Sequence, residues 1–214
     1  MAGLKRQLHA LRMDALSVLR YGPSAPRHAE TIWICPNSIV NVIAKAIPRK
    51  ESGRVWRGDW DLNIAPIDEM PKVAMCYRHW RDGLSWEEVG AYDLMMGLIA
   101  RLGRADGCAS LDDVKARYDR LDQLFDTAAK ERRLRQVHEV EPGRLRETGG
   151  VLFHVARDGP IFGRGGAHRL AIARILELPI IPAKLGVVHV EAIPRLSELR
   201  RQPLTRNHCR RAAF

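Results

Sequence analysis

The run from Gly149 to His189 constrains the fold more than any other part of this chain, because strand, turn, helix and strand signals follow one another without a gap. Val151 to Ala156 is β-branched and apolar, which predicts a strand. Arg157-Asp158-Gly159-Pro160 reads as a tight turn, with Gly159 able to take the positive φ that a short hairpin requires. Ile161 and Phe162 open the return strand. Arg164-Gly165-Gly166 breaks it and leads into an apolar helix from His168 to Leu178, which Pro179 and Pro182 close off. Ile180 to Val188 reads as a final strand. The expected order is hairpin, glycine loop, helix, strand.

Glycines at a helix start let a ligand approach the backbone, since no Cβ blocks the way. The first turn of a helix also offers amide N–H groups without intrahelical partners and the positive end of the helix dipole. Together they suit an anion. Gly165, Gly166 and Ala167 supply the loop, and His168 and Arg169 add side chains that hydrogen-bond phosphate oxygens, the arginine through a planar fork. The same residues also fit a glycine turn chosen for tight packing, with Arg169 solvated. A short Gly-Gly loop does not by itself decide between the two.

Phe162-Gly163, then Gly165-Gly166-Ala167-His168-Arg169, then Ile181-Pro182-Ala183-Lys184-Leu185, resembles the C-terminal core of the ParB/sulfiredoxin superfamily. Thr31-Ile-Trp-Ile-Cys-Pro-Asn-Ser-Ile-Val resembles that family's opening strand, proline and helix, so Thr31 to Val42 is expected to add a strand and a helix. The strong part of the resemblance covers about a fifth of the chain. It implies an α/β (α+β) fold with a small mixed sheet, flanking helices and a helical insertion. It also implies that the box at Gly165 to Arg169 binds nucleotide phosphates, as it does for ATP in sulfiredoxins, ATP or ADP in free-serine kinases and CTP in partition proteins.

Two departures narrow the activity. Sulfiredoxins carry their nucleophilic cysteine where this chain has Ala167, and a methyl group is no nucleophile, so sulfinic-acid reduction is not expected. Many relatives have Asp where this chain has Gly165, which weakens the nuclease label attached to such domains. The basic helix-turn-helix half of the partition proteins has no visible counterpart.

Charge is placed at the ends. The net charge is +10, of which residues 1–57 hold +7 and residues 191–214 hold +4, while 58–190 sum to −1. Basic ends bind phosphate backbones weakly and without sequence preference, or are ordinary solvated arms. The tail from Arg195 to Arg211 lacks interleaved aromatics that would stack bases. Leu4, Leu8, Leu11, Ala15, Leu16 and Leu19 recur at helical spacing among Lys5, Arg6, Arg12 and Arg20, which suits a helix packed on the domain, a presequence or a membrane-surface helix. No segment approaches the length of a membrane span. Cys35, Cys76, Cys108 and Cys209 show no zinc spacing beyond a lone Cys76-x-x-His79, and such scattered thiols fit a reduced, cytoplasmic setting of bacterial type.

The middle of the chain reads as helical. Ser85-Trp-Glu-Glu88 is a capping-box pattern before Val89, Tyr92, Met95 or Met96, Ile99 and Leu102, with Gly103 as the stop. Ser110-Leu-Asp-Asp113 opens a second series through Val114, Tyr118, Leu121 and Phe125. The Met95-Met96 pair fits core filling. Glu139 to Glu147, with Pro142-Gly143, is a polar link. The expected division is a basic arm at 1–30, a core domain at 31–190 with an insert at about 80–135, and a basic tail at 191–214.

Val55-Trp-Arg-Gly-Asp59-Trp-Asp61 packs two tryptophans and two aspartates around one glycine. Paired carboxylates hold Mg²⁺ or accept a proton, and tryptophan stacks on a base. The alternative is a surface turn pinned by its tryptophans. Asp59 and Asp61 are the candidate base or metal ligands, with Asp158 the second choice. The function expected is binding of ATP or another nucleotide with Mg²⁺, with hydrolysis or phosphoryl transfer to a small-molecule acceptor. The alternative is a DNA-associated regulator or nuclease-like protein in which nucleotide acts as a switch.

Overall fold

The structure, a computed structural model, describes residues 2–141, 146, 147 and 149–201. The Pro142-Gly143 link, Cys209 and the tail beyond Arg201 lie outside the described residues. The chain divides into two units: Met1–Ile67, Arg135–Gly166 and Pro179–Phe214 form one, and Asp68–Leu134 with Ala167–Leu178 form the other.

The first unit holds one mixed sheet. Its strands are β1 (Thr31–Ile34), β2 (Asn41–Ile43), β3 (Val55–Trp56), β4 (Ile64–Pro66), β5 (Val151–Ala156), β6 (Gly159–Phe162) and β7 (Ile181–His189). They lie in the order β1-β7-β5-β6-β2-β4, with β3 also paired to β7. The hairpin signal was correct: β5 and β6 pair antiparallel through a tight turn at which Gly159 takes φ +138°. The return strand begins at Gly159, two residues before Ile161. β7 runs parallel to β5, with Leu152 opposite Lys184, and the register slips between Phe153 and Val155. Phe153 and Phe162 are fully buried, each contributing on the order of 2–3 kcal/mol of apolar burial.

Thr31 to Val42 supplies two strands rather than a strand and a helix. Pro36 starts only one 3₁₀ turn, Pro36–Ser38, because Ile39 then returns to an extended backbone and leads into β2. The Trp-Asp segment, expected as a loop, contributes β3, which runs parallel to β7 at Val188 and His189. Among the described residues this unit also carries the α-helices α1 (Ala2–Tyr21), α5 (Val137–Val140) and α7 (Leu196–Leu199). The start of the basic tail is structural, since Arg200 pairs with Glu30 at 3.1 Å and Arg195 donates to the Arg157 carbonyl at 2.6 Å.

The second unit is helical: α2 (Pro71–Trp80), α3 (Ala91–Leu102), α4 (Leu111–Glu131) and α6 (Ala167–Ile175). Ser110 caps α4 with the reciprocal box the sequence predicts, and Gly103 ends α3 at φ +75°. The Ser85 box also forms, with the Ser85 N–H and the Glu88 carboxylate at 2.7 Å, yet it closes only one turn. Gly90 takes φ +77° and the helix begins afresh at Ala91. The helical residues start at 68 rather than about 80, because α2 has an apolar stripe of its own at Val73, Cys76, Tyr77 and Trp80. α6 ends at Ile175, short of Leu178, where Glu177 takes φ +50°. Met95 is fully buried, in keeping with core filling.

Among the described residues no helix is long and apolar enough to cross a membrane. Cys76 and Cys108 are free and buried. Cys35, expected as a reduced thiol, is disulfide-bonded, so the cytoplasmic expectation loses the support it drew from that residue.

Candidate anion site

The β5–β6 hairpin has two ends, and they differ in charge. At its tip, Arg157 is clasped by the Trp-Asp segment. Its Nη2 donates to Asp61 Oδ1 at 2.8 Å, to Asp59 Oδ1 at 2.8 Å and to the Gly58 carbonyl at 2.9 Å. Its Nε and backbone N–H both donate to Asp61 Oδ2 at 3.0 Å. Asp61 is buried. Burial alone would raise its pKa, but the hydrogen bonds from Arg157 outweigh that and hold the carboxyl below its ordinary value. Asp158 is exposed at the turn.

This placement corrects the expectation that Asp59 and Asp61 serve as base or metal ligand, since both are engaged by Arg157. The glycine loop lies at the other end of β5: Gly163 N–H donates to the Leu152 carbonyl at 2.7 Å, and Leu152 N–H donates to the Gly165 carbonyl at 2.9 Å. Leu152 and Arg157 are separated along the strand by roughly 17 Å, at about 3.3 Å per residue. The aspartates are spent on Arg157 and serve as a clamp on the hairpin tip.

At the base the glycines are required by space. A Cβ on Gly166, which has φ +78°, would lie 2.9 Å from the Val151 Cα. A Cβ on Gly165 would lie 3.0 Å from the Leu152 Cβ and 3.3 Å from Nη2 of Arg49. Between them and Gly163 sits Arg164 with φ +67°, a strained backbone for a residue with a side chain, its Nη1 donating to the Ala44 carbonyl at 3.0 Å.

Lys184 faces this end of the sheet. It is opposite Leu152 in the register, 6% exposed, and its ammonium meets no hydrogen-bond acceptor and no carboxylate among the described residues. Burial lowers its pKa, and the neighbouring Arg49 guanidinium lowers it further. His28 lies within electrostatic range of Lys184 and is also held below its ordinary pKa, first by burial. Arg49 likewise has no acidic partner among the described residues, since the nearby Glu51 pairs with Arg54 at 3.2 Å. A buried lysine beside a second cation carries a desolvation cost that no carboxylate among the described residues offsets. An anion held by Lys184, Arg49 and the backbone of the glycine loop would offset it.

The residues after the loop belong to the helical unit. Ala167 and His168 are buried there. The His168 ring packs edge-on against Tyr118 with centroids 5.7 Å apart, and burial pushes its pKa down to about 3. This corrects the expected role of its side chain: a buried, neutral packing ring is not offered to a phosphate, although its first-turn amide is a separate matter. Arg169 is half-exposed and makes no hydrogen bond or ion pair among the described residues. Among those residues no three His, Cys, Asp or Glu side chains gather into a group able to hold a metal ion.

His154 was missed by the sequence reading. Its ring lies over Gly186, whose missing Cβ makes the room, and Nδ1 accepts from the Val187 N–H at 3.0 Å. The register slip beside Val155 supplies that amide. Lys184 carried a legible signal, because one lysine interrupts the otherwise apolar Ile180–Val188 run. Arg49 carried none, since only the parallel pairing of β2 with β6 brings the segment after Ile43 beside the loop after Phe162. No family model, no curated protein and no solved structure matches this chain.

Proposed function

We propose that the sheet unit binds a nucleotide, ATP or a relative of it, through its phosphates at the base of the β5–β6 hairpin. The observation that carries this reading is Lys184, a buried cation whose charged neighbour is the Arg49 cation, beside a glycine loop packed closely on Val151, Leu152 and Arg49. Lys184 and Arg49 supply the charge. The resemblance to ParB/sulfiredoxin proteins, whose corresponding box holds nucleotide phosphates, supports a nucleotide over a simpler anion. Mg²⁺ would travel with the phosphates, since no carboxylate set gathers to hold it among the described residues.

Binding is the function the geometry favours over hydrolysis or transfer to a small acceptor. The carboxylates considered for the chemistry, Asp59 and Asp61, are engaged by Arg157 at the far end of the hairpin. Weak binding of nucleic acid by the basic ends is a separate, sequence-independent property in this reading.

Calorimetry with ATP, ADP, CTP and GTP, with and without Mg²⁺, tests it. Lys184→Met keeps the length of the side chain and removes the charge, and should weaken nucleotide binding by at least roughly tenfold, the worth of one charge-assisted hydrogen bond. Equal affinity for wild type and Lys184→Met would place the phosphates elsewhere.

A further inference from the structure

The sheet face that carries Lys184 holds a second feature that the phosphate reading does not use. Because His154 Nδ1 accepts from the Val187 N–H, the neutral ring carries its proton on Nε2. That Nε2–H is buried and has no acceptor among the described residues, and it lies 2.8 Å from where a Cβ on Gly163 would stand. The indole Nε1–H of Trp60 is also buried and also lacks an acceptor. The two rings meet edge-on, with centroids 6.0 Å apart. Leaving one buried donor unsatisfied costs on the order of 1–3 kcal/mol, so two on adjoining rings call for an explanation.

The location supplies one. Gly163 and Gly165 both rest on the Leu152 side chain, and Arg49 stands at Gly165 as His154 stands at Gly163. Charged donors therefore lie at one end of the loop and uncharged donors at the other. Burial pushes the His154 pKa down to about 4, so the ring is neutral at neutral pH, where a phosphate is ionised. A hydroxyl or ether oxygen has two lone pairs and accepts two hydrogen bonds, which matches two neutral donors on adjoining rings.

We infer that His154 and Trp60 form an uncharged donor pair that takes a sugar oxygen of the bound phosphate ester, so that the site prefers a sugar phosphate or nucleotide to inorganic phosphate. The inference rests on the anion site proposed above. The bare alternative is an ordered water between the two rings.

Calorimetry on the full chain with inorganic phosphate and with ribose 5-phosphate, together with ¹⁵N spectra of the tryptophan indoles, separates the cases. Trp60→Phe deletes the N–H while keeping an aromatic ring, and it also identifies the Trp60 indole signal. The expected result is that wild type binds ribose 5-phosphate roughly tenfold more tightly than phosphate, as two net hydrogen bonds allow, and that Trp60→Phe loses most of this advantage. Its affinity for phosphate should stay within about twofold of wild type, because Lys184 and Arg49 are untouched. The Trp60 indole signal should move with the ester and not with phosphate, a readout that needs no variant to bind. Equal wild-type affinities with an unmoved indole overturn the inference and leave the anion site standing. An indole that moves equally with both ligands puts the pair on a phosphoryl oxygen and overturns the sugar preference. Binding of neither ligand, or phosphate binding indifferent to Lys184→Met, overturns the anion site itself.

Discussion

At the tip of the β5–β6 hairpin one arginine meets two aspartates, while at its base Lys184 and Arg49 meet none among the described residues. The strands are the same, yet one end is electrostatically closed and the other open. A closed network stabilises the fold and has nothing left to give a ligand. An open one costs stability and keeps its donors available. The two ends should therefore respond oppositely to substitution, the tip through stability and the base through binding.

Acid gives the largest separation. His154 belongs to the base, and its folded pKa of about 4 lies below the ordinary histidine value near 6.5. Between those values the unfolded chain binds more protons than the folded one, so stability is lost as pH falls through the window, by on the order of 3 kcal/mol. Asp61 at the tip has a lowered carboxyl pKa, so its contribution is present above the ordinary aspartate value and is lost only as pH falls further. Denaturant titrations from pH 7 to 3 should show the loss beginning near pH 6.5. His168 in the helical unit, at about 3, adds to it in the same direction. His154→Gln should remove the base's share and leave the Asp61 loss in place. A wild-type stability that is flat between pH 6.5 and 4.5 would mean that neither histidine is held neutral by the fold.

Asp61→Asn comes next. It keeps the shape but halves the acceptor strength for three donors of Arg157, and should cost about 2 kcal/mol. Nucleotide affinity should not move. If it falls in parallel with stability, the two ends of the hairpin are coupled and the contrast between them fails.

Lys184→Met should act in the other direction on stability. Replacing a largely buried lysine, which has no acidic partner among the described residues, by an apolar side chain of similar length removes part of a desolvation penalty, for a gain of up to roughly 1 kcal/mol in the absence of ligand. Thermal melts should thus rank Lys184→Met above wild type while calorimetry ranks it below. Destabilisation would show that the lysine has a structural partner.

The sequence was most readable where backbone chemistry is local. The hairpin, the Gly103 stop and the Ser110 cap follow from the residues at those positions, and each is present. The Ser85 box was read correctly as a cap and wrongly as the start of α3, because a cap fixes one turn and Gly90 then decides whether the helix continues. α2 was legible in its Val73-Cys76-Tyr77-Trp80 stripe and was overlooked. The anion site was less readable. Its glycines stand in one short segment, but Arg49 reaches them only through pairing of distant strands, and the His154 slot needs Gly186 and a slipped register together. The Trp-Asp segment shows the reverse case. Two carboxylates beside tryptophans resembled a catalytic loop until Arg157, nearly a hundred residues away in sequence, was found to occupy both.

Asp59→Asn should have the smallest effect and is the finest test of the contrast. Asp59 is 74% exposed on its side chain, and the Arg157 Nη2 that reaches it also reaches Asp61 and the Gly58 carbonyl. Water can replace what is lost, and an exposed ion pair is worth about 0–1 kcal/mol before salt weakens it. The expected cost is below about 0.5 kcal/mol and should shrink further in high salt. The comparison with Asp61→Asn then separates charge from burial, because both variants remove one negative charge from the same arginine. If Asp59→Asn costs as much as Asp61→Asn, the clamp depends on total charge rather than on the buried carboxylate. If it costs nothing and Asp61→Asn does, the tip is held by one buried acceptor, and Asp59 is free of any duty that nucleotide assays would detect.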